Sequence, residues 1–324
     1  MKKCLITGAS GFVGRHLLQY FDRVAAGITE VLGVDLYPAP LTFVPQQFSY
    51  RFEQIDLTQL ESFTELAKEF DPDWLIHLAG ESSVAASWRD PDRCIMNNGN
   101  IISNMLRFLK LRPMKHRLKC RMLAVGSSEV YGEYLEPFEE SHPRQPYNPY
   151  AISRLYQEDR IQLDVKWQSL NIVSTRSFNH TGPGQNDRFV IASFVRQLCS
   201  AKKNGQKSVC LKTGNVQLIR DFSDVRDVVR AYHLLLEHGR NGEIYNVCCG
   251  AGVSLFKIIE MLQEILNLEV TVEPDQVLVR SGEPPIVIGN TEKIFRATGW
   301  KPQIPLEQTL RDMVQEQMEQ NLKK

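Results

Sequence analysis

Two groups of side chains in this sequence are of types that hold and exchange protons. A predicted strand runs into Ser127, Ser128 and Glu129, and Tyr150 and Arg154 follow on a predicted helix. Residues four apart share one helix face, so the phenol and the guanidinium are expected to be neighbours. A fixed cation lowers the pKa of a phenol from its usual value of about 10. We therefore predict that Tyr150 exchanges a proton with an alcohol or a ketone, and that Ser127 holds the oxygen of that substrate.

A glycine-rich segment near the N-terminus predicts a site for a dinucleotide. An apolar run at residues 3–7 is followed by Gly8, Gly11 and Gly14, three residues apart, and then by a helical pattern. Gly8 allows the turn, Gly11 lets the backbone approach a pyrophosphate, and Gly14 lets the helix pack on the strand. The free N–H groups at the start of the helix then face the phosphates. The predicted cofactor-binding residues of this turn are Gly8, Ser10, Gly11, Phe12 and Val13.

Each of these interpretations has a structural alternative. The glycines would then form an ordinary turn, Tyr150 would be a packing residue, and Arg154 would be a solvated charge on the helix. The chemical interpretation is favoured because the glycine turn has a strand before it and a helix after it, and because Tyr150 accompanies Arg154. Asp35 adds support, since it ends a second predicted strand at residues 31–35. A carboxylate there binds the ribose hydroxyls of NAD(H) and repels the 2′-phosphate of NADP(H). Leu36 and Tyr37 follow it, and neither is basic, so the sequence predicts that NAD(H) is favoured over NADP(H).

The first half of the chain alternates short apolar strands with helical patterns, which predicts an α/β fold with a doubly wound parallel sheet of the Rossmann type. The predicted strands cover residues 3–7, 31–35, 50–55, 74–78, 121–126 and 172–178, with helices starting near residues 11, 60, 91 and 148. Beyond them, a polar loop at 179–188 precedes helices at 189–203, 224–237, 254–266, 291–298 and 306–320 and strands at 208–211 and 243–247. We expect a nucleotide-binding domain at 1–178 and a smaller α/β substrate domain at 179–324, with part of 215–250 folding back onto the first.

The composition argues against several classes of protein. Of the 324 residues, 43% are hydrophobic and 23% are charged, and the formal net charge is zero, so no nucleic acid or anionic membrane partner is expected. No apolar run approaches the roughly 20 residues that span a bilayer, and we expect no secretory signal. Seven scattered cysteines without Cys-x-x-Cys spacing predict reduced thiols, no metal site and a cytoplasmic location.

Several segments carry a resemblance to a known family. Ser127 and Tyr150 match the serine and Tyr-x-x-x-Lys pattern of the extended short-chain dehydrogenases/reductases, with Arg154 where that family has lysine. The stretches Asn-His-Thr-Gly-Pro-Gly-Gln at 179–185 and Arg-Asp-Phe-Ser-Asp-Val-Arg-Asp at 220–227 are more selective. They are similar to those of members that modify nucleotide sugars, in particular the GDP-4-keto-6-deoxy-D-mannose reductases. The likeness covers nearly the whole chain.

This resemblance implies an NAD(P)H-dependent reduction of a 4-keto-6-deoxy nucleotide sugar, with a GDP-sugar favoured as substrate. It also implies a catalytic role for Glu129, since related dehydratases use a glutamate at this point to take a proton. The further cofactor contacts that it implies are Asp56, Leu57, Leu78, Ala79, Gly80, Tyr150 and Arg154. The implied substrate contacts are Ser82, Ser83, Ser128, Asn179, Arg220 and Arg280. Two guanidinium groups suit a diphosphate, although Arg280 equally fits a surface ion pair.

Two other functions stay open. A 4,6-dehydratase or an epimerase of the same family would retain its NAD(P) and recycle the hydride, and Glu129 alone does not separate these enzymes from a reductase. A catalytically weak paralogue that only binds nucleotide sugars would follow from Arg154, because a guanidinium does not give up a proton. A homodimer is expected through paired helices near 91–110 and 148–168. The apolar positions that fit either this dimer or packing on the sheet are Ile101, Ile102, Met105, Leu106 and Leu109.

Overall fold

The computed structural model describes residues 2–134, 137–275, 277–279 and 282–319. Its strands are β1 (Lys2–Thr7), β2 (Ile28–Asp35), β3 (Ser49–Gln54), β4 (Trp74–His77), β5 (Arg121–Ser127), β6 (Asn171–Ser177), β7 (Asn179–Thr181), β8 (Ser208–Thr213), β9 (Ile219–Asp224), β10 (Ile244–Val247), β11 (Gly252–Ser254), β12 (Glu269–Pro274) and β13 (Ile286–Val287). Its helices are α1 (Phe12–Val24), α2 (Leu60–Phe70), α3 (Val84–Arg89), α4 (Pro91–Leu111), α5 (Met114–Lys119), α6 (Pro149–Gln168), α7 (Val190–Lys203), α8 (Val225–His238), α9 (Leu255–Leu266), α10 (Glu292–Thr298) and α11 (Leu306–Glu319).

A seven-stranded parallel sheet forms the centre of the first half, in the order β10-β6-β5-β4-β1-β2-β3. The order β3-β2-β1-β4-β5-β6 within it is that of the Rossmann fold. The predicted α/β class with a doubly wound sheet is therefore confirmed, and each of the six predicted strands is present with small shifts at its ends. The edge strand β10 comes from the second half of the chain and pairs with β6.

Helices cover the sheet on both faces, which explains why β1 reads as a continuous apolar run. Cys4 and Ile6 belong to the hydrophobic cluster shared with α1 and α8, whereas Leu5 points to the opposite face and the cluster shared with α2, α4 and α6. On α4, Met96 and Leu111 are exposed, whereas the five apolar positions named above lie in this second cluster and are buried. They therefore pack on the sheet, which decides between the two roles considered for Ile101, Ile102, Met105, Leu106 and Leu109.

The second half builds a smaller sheet around β9, which pairs with β7, β11 and β13, and a separate β8–β12 pair. The helices α7, α9 and α11 enclose one hydrophobic cluster beside these strands. The loop predicted at 179–188 is wrong for its first three residues, because Asn179–Thr181 is the strand β7 and pairs with the end of β9. The strand β9 was not predicted, since its sequence contains three charged residues. Within the described ranges, no helix has the length and apolar character needed to cross a bilayer.

The charged residues of β9 have structural partners. Asp221 is fully buried, and its carboxylate accepts the backbone N–H of Cys249 at 2.7 Å, of Gly250 at 2.8 Å and of Gly289 at 3.3 Å. A buried carboxylate is tolerated when donors of this kind surround it. Asp221 therefore anchors two loops of the second half to β9.

Two further aspartates at intervals of three residues continue this arrangement into α8. Asp224 caps the helix by accepting the N–H of Arg226 at 2.7 Å, and it accepts the hydroxyl of Thr309 at 2.7 Å. Asp227 accepts the N–H groups of Gln303 and Ile304, both at 2.8 Å. These bonds fix the segment that leads into α11, so the later loops of the second half are attached to β9 and α8 by buried carboxylates.

A loop of the second half also bridges α1 and α11. Nη2 of Arg15 donates to the carbonyl of Gly184 at 3.2 Å, and Nε2 of His16 lies 2.8 Å from the carbonyl oxygen of Pro183. The N–H of Gly184 donates to Oε2 of Glu316 at 2.6 Å. The Gly-Pro-Gly segment therefore connects the helix that follows the glycine turn with the last helix of the chain.

Candidate active site

The glycine turn between β1 and α1 has a shape that requires its glycines. Gly8 has φ +72°, and a Cβ there would lie 2.9 Å from the backbone nitrogen of Ala79. A Cβ on Gly14 would lie 2.5 Å from the carbonyl oxygen of Gly8. Helix α1 starts after Gly11 without a side-chain cap and without an acidic residue in its first turn. Its first N–H groups are therefore available to an anion, and Phe12 and Val13 carry two of them.

The end of β2 is joined to this turn. Oδ2 of Asp35 accepts the N–H of Ser10 at 3.1 Å, and Oδ1 accepts the N–H of Leu36 at 2.7 Å. Asp56 follows β3, is exposed and accepts bonds from Thr58. Leu57 is 4% exposed and belongs to the hydrophobic core. Asp35 thus lies beside the glycine turn, whereas the side chain of Leu57 is used for packing.

The end of β4 lies against the same turn. Leu78 donates its N–H to the carbonyl of Thr7 at 3.1 Å, and Ala79 donates to the Thr7 hydroxyl at 3.3 Å. That hydroxyl is also 2.9 Å from Nδ1 of His77. Burial, with the positive charge of Arg154 as a second cause, lowers the pKa of His77 to about 3. The imidazole is therefore neutral at physiological pH and links β1 to β4.

Tyr150 and Arg154 lie together on α6, as the sequence predicts. The helix begins with Asn148, whose side chain caps the N–H of Ala151 at 2.8 Å, followed by Pro149 at the first helical position. Tyr150 is 8% and Arg154 is 5% exposed, and the guanidinium carbon lies 5.1 Å from the centre of the phenol ring. The phenol thus has a buried permanent cation as its neighbour.

Ser127 ends β5 and Glu129 lies in the short 3-10 turn Ser128–Val130 that follows. Oγ of Ser127 accepts the N–H of Glu129 at 3.2 Å. Oε2 of Glu129 accepts the hydroxyl of Tyr147 and, at 2.8 Å, Nδ2 of Asn148. Burial and the nearby Glu129 carboxylate raise the pKa of the Tyr147 phenol, which therefore acts as a donor. The Glu129 carboxylate is held by two donors from the start of α6.

The predicted substrate residues are less uniformly placed. The N–H groups of Ser82 and Ser83 donate to Oε1 of Glu81 at 2.9 and 2.8 Å, so they form a turn after β4. Ser83 is buried and caps α3, and Ser128 is also buried. These residues follow the strands that end at the Tyr150 side of the sheet.

Two arginines and one asparagine from the second half complete that set. Arg220 is 9% exposed, and its Nη1 donates to the carbonyls of Ile219 at 2.9 Å and Pro285 at 3.4 Å. Its positive charge lowers the pKa of the Tyr147 phenol, against the larger effects of burial and of Glu129. Asn179 is exposed on β7 and lines a cavity of about 50 Å³ with Phe189 and Phe222. Arg280 lies outside the described residues.

Sequence reasoning missed the polar residues that support these groups. Asn98 of α4 donates from Nδ2 to the hydroxyl of Ser153 at 2.9 Å and to the carbonyl of Glu81 at 3.1 Å. Gln157 accepts from Nη1 of Arg154 at 2.8 Å. The spacing of three between Arg154 and Gln157 was a usable signal, because residues i and i+3 meet on a helix. The contacts of Asn98 depend on the packing of α4 on α6 and left no signal in the sequence.

The residues at this edge of the sheet fit a nicotinamide dinucleotide. The uncapped start of α1 suits a diphosphate, and Asp35 lies beside it, where a ribose would bind. Nε of Arg154 is buried and has no hydrogen-bond partner within the described part of the chain. Among the same described residues, Nε of Arg117, Arg121 and Arg160 are buried without a partner as well, so this donor agrees with a ligand at the crevice but does not by itself indicate one. Gly80, with φ +133°, lies close to the same guanidinium.

Comparisons with known proteins agree with this arrangement. The family described as GDP-mannose 4,6 dehydratase matches residues 5–313. The chain is 37% identical to a GDP-6-deoxy-D-mannose reductase of Pseudomonas aeruginosa, over 96% of this chain and 95% of that protein. A structure of RMD from the same species in complex with NADPH has a TM-score of 0.82 and 34% identity, covering 99% of this chain and 100% of that one.

More distant relatives share the fold and bind a cofactor of the same type. A UDP-glucose 4-epimerase from Thermus thermophilus in complex with NAD has a TM-score of 0.81 and 26% identity, covering 97% of this chain and 98% of that one. The family match and the reductase relative both extend over nearly the whole chain. The chain therefore belongs to the GDP-mannose 4,6-dehydratase family and is an NAD(P)-dependent extended short-chain dehydrogenase/reductase of the nucleotide-sugar-modifying group.

Proposed function

We propose that the chain reduces the 4-keto group of a 4-keto-6-deoxy nucleotide sugar, with GDP-4-keto-6-deoxymannose as the favoured substrate and a GDP-deoxyhexose as the product. The observation that carries this proposal is the placement of Ser127, Tyr150 and Arg154 at one edge of the sheet, next to the dinucleotide turn. The 37% identity to a GDP-6-deoxy-D-mannose reductase supports the choice of substrate.

The reaction adds a hydride to the carbonyl carbon and a proton to the carbonyl oxygen. The reduced nicotinamide supplies the hydride when it is bound. Tyr150 donates the proton to the oxygen, which becomes the hydroxyl of the product. Because Oγ of Ser127 accepts the N–H of Glu129, its own proton is available to hold that oxygen. Arg154 keeps a permanent positive charge beside the phenol and stabilises the phenolate that remains.

NAD(H) is the cofactor that we propose to be preferred. Asp35 places a carboxylate beside the glycine turn, and residues 36–50 contain no lysine or arginine that would bind a 2′-phosphate. The RMD structure contains NADPH, so the relatives do not all share one preference. The test compares kcat/KM for NADH and NADPH in the natural chain and in Asp35→Ala. We expect kcat/KM of the natural chain to be at least tenfold higher with NADH than with NADPH, and this ratio to fall in the variant. A higher kcat/KM with NADPH in the natural chain would contradict the proposal.

The substrate contacts that we propose are Ser82, Ser83, Ser128, Asn179 and Arg220, with Arg220 facing the diphosphate. Arg220 suits this role because it is buried and positively charged. In this assignment, residues 1–178 bind mainly the cofactor and residues 179–324 bind mainly the nucleotide sugar. The strand β10 and helix α8 of the second half nevertheless pack with the first.

The alternative of a 4,6-dehydratase rests on Glu129, which would have to take a proton from the sugar. In this chain both Tyr147 and Asn148 donate to Oε2 of Glu129. These two donors occupy Oε2, one of the two oxygens that would take the proton, so this arrangement favours the reductase. An epimerase or a dehydratase that recycles its hydride would convert its substrate without net use of NADH.

The experiment that tests the function is a stoichiometric one. Purified protein is mixed with enzymatically prepared GDP-4-keto-6-deoxymannose and NADH, and the loss of NADH absorbance is compared with the product measured by mass spectrometry. One NADH oxidised for each GDP-deoxyhexose formed is the expected result. Product without NADH use, or NAD(H) that co-purifies and is recycled, would assign a dehydratase or an epimerase. Binding of the nucleotide sugar without turnover would assign the catalytically weak paralogue that Arg154 suggests.

We also propose that the protein is a cytoplasmic homodimer. The outer face of α6 carries a stripe of exposed apolar side chains that run along one side of the helix: Ile152 at 45%, Tyr156 at 42%, Leu163 at 52% and Trp167 at 69% exposure. A second copy of the chain would cover this stripe, since α4 lies beside it and the five apolar positions of α4 considered for the dimer are already buried against the sheet.

A further inference from the structure

Arg154 is the residue at which this chain departs from the pattern of its family, and its guanidinium has a specific partner. Nη1 donates to Oε1 of Gln157 at 2.8 Å, and Gln157 is 2% exposed. Nε2 of Gln157 donates in turn to the carbonyl of Val125 at 3.0 Å. The glutamine therefore uses its oxygen to hold the arginine and its amide to attach itself to β5, two residues before Ser127.

The other side of the guanidinium is also enclosed. Nη2 lies 3.5 Å from the carbonyl oxygen of Glu81, and a Cβ on Gly80 would be 3.3 Å from the same nitrogen. Asn98 fixes this stretch, since its Oδ1 accepts the N–H of Glu81 at 2.8 Å and its Nδ2 donates to the carbonyl. The planar group thus lies between Gln157 and the turn after β4, and its orientation is determined from both sides.

This arrangement leaves Nε of Arg154 as the donor without a partner in the described residues. Nη1 and Nη2 both have partners in this chain, at 2.8 Å and 3.5 Å. A long arginine side chain has many rotamers, and a free guanidinium would sample several of them. Gln157 selects one of these rotamers, in which the charge stays 5.1 Å from the centre of the Tyr150 ring.

We propose that Gln157 is a positioning residue that allows arginine to take the place of the family's lysine. It holds Arg154 so that the charge stays beside Tyr150. The inference rests on the proposed reductase function for its kinetic consequence, but not for its effect on cofactor binding. It requires Arg154 and Gln157 to act as a pair. A lysine at position 154 has a single ammonium group in place of the planar guanidinium, so it does not need Gln157 to fix its orientation.

The test uses a double-mutant cycle with two readouts. Arg154→Lys, Gln157→Leu and the double variant are compared with the natural chain. The affinity for NADH is measured by its fluorescence without substrate, and kcat and KM are measured with the 4-keto nucleotide sugar. Gln157→Glu retains the acceptor for Arg154 but loses the amide that donates to the carbonyl of Val125, so it separates the two bonds of the glutamine. Gln162→Leu is the matched control, because Gln162 lies exposed on the same helix and its Nε2 donates to the carbonyl of Gly242 at 2.8 Å.

We expect Gln157→Leu to weaken NADH binding and to lower kcat, each by about tenfold, as for the loss of a buried hydrogen bond to a charged group, with little change in KM for the sugar. Gln157→Glu should lose less affinity for NADH than Gln157→Leu does, because the bond to Arg154 remains, and Gln157→Leu should have little further effect on Arg154→Lys. Equal effects of Gln157→Leu in both backgrounds, or a loss of thermal stability with unchanged NADH affinity, would overturn the proposal. If the natural chain does not reduce the sugar, the proposed function fails while the NADH affinities still decide the role of Gln157.

Discussion

A substitution at Asp221 tests most directly how the loops of the second half are attached to β9. The perturbation is Asp221→Asn, which keeps the size of the side chain but replaces one carboxylate oxygen by an amide group. In the natural chain the two oxygens accept the N–H groups of Cys249, Gly250 and Gly289. The amide of the variant would face at least one of these donors instead of accepting from it.

The magnitude follows from the two shorter bonds, at 2.7 and 2.8 Å. A hydrogen bond to a charged group contributes about 1.5–3 kcal/mol, so the pair stabilises the fold by about 3–6 kcal/mol. Asparagine retains one acceptor oxygen. Burial raises the pKa of Asp221 despite its donors, so the variant also avoids part of the cost of burying a charge. We therefore expect the free energy of unfolding to fall by about 2–3 kcal/mol, which is less than the full contribution of the two bonds.

The assay is urea unfolding followed by tryptophan fluorescence and by circular dichroism, with the slope m compared between variants. Asp187→Asn is the control, because Asp187 is 48% exposed and pairs at the surface with Arg196 at 2.7 Å. Such a pair contributes at most about 1 kcal/mol. If Asp221→Asn lowers the free energy of unfolding no more than Asp187→Asn does, the anchoring role derived for Asp221 is wrong.

Three other expectations concern pH, the glycine turn and the dimer. The pKa of His77 is near 6.5 in the unfolded chain and about 3 in the folded one, so between these values only the unfolded chain takes up the proton and stability falls as the pH falls. Between pH 7 and pH 5, this group lowers the free energy of unfolding by about 2 kcal/mol. His77→Asn should abolish that difference in urea unfolding. Gly14→Ala should weaken NADH binding at least tenfold in fluorescence titrations, since its Cβ would lie 2.5 Å from a backbone oxygen, whereas Gly99→Ala on α4, with its nearest contact at 3.5 Å, should not. Leu163→Glu should give a monomer in light scattering. Phe256→Glu, which changes an exposed residue of α9, is the control and should leave the dimer intact. If both variants are dimers, the interface lies elsewhere.

The first half of the fold could be predicted because its central strands are buried on both faces and read as apolar runs between helical patterns, whereas the edge strand β3 has no buried residue and reads instead by the alternation of Tyr50 and Phe52 with polar residues. The glycine turn and the pair formed by Tyr150 and Arg154 are local, within one turn of chain or helix. Their geometry follows from spacing alone, which is why the structure places them where the sequence predicts.

The second half was harder because its central strand carries charge. Arg220, Asp221 and Asp224 in β9 are buried, and an apolar pattern does not reveal a strand whose polar groups are satisfied by distant loops. The same reason explains the supporting residues of the site. Asn98 and Glu81 meet through the packing of α4 beside the turn after β4, at a sequence separation that no local pattern records.

The bridge from Pro183 and Gly184 to α1 and α11 has a thermodynamic consequence. The first turn of α1 is the proposed diphosphate site, and the next turn of the same helix carries Arg15 and His16, which hold the loop of the second half. A ligand that orders the start of α1 also restrains that loop and, through Glu316, the last helix. The entropy lost when the dinucleotide binds is then not lost again when the sugar binds, so we expect each ligand to raise the affinity of the other by the same factor.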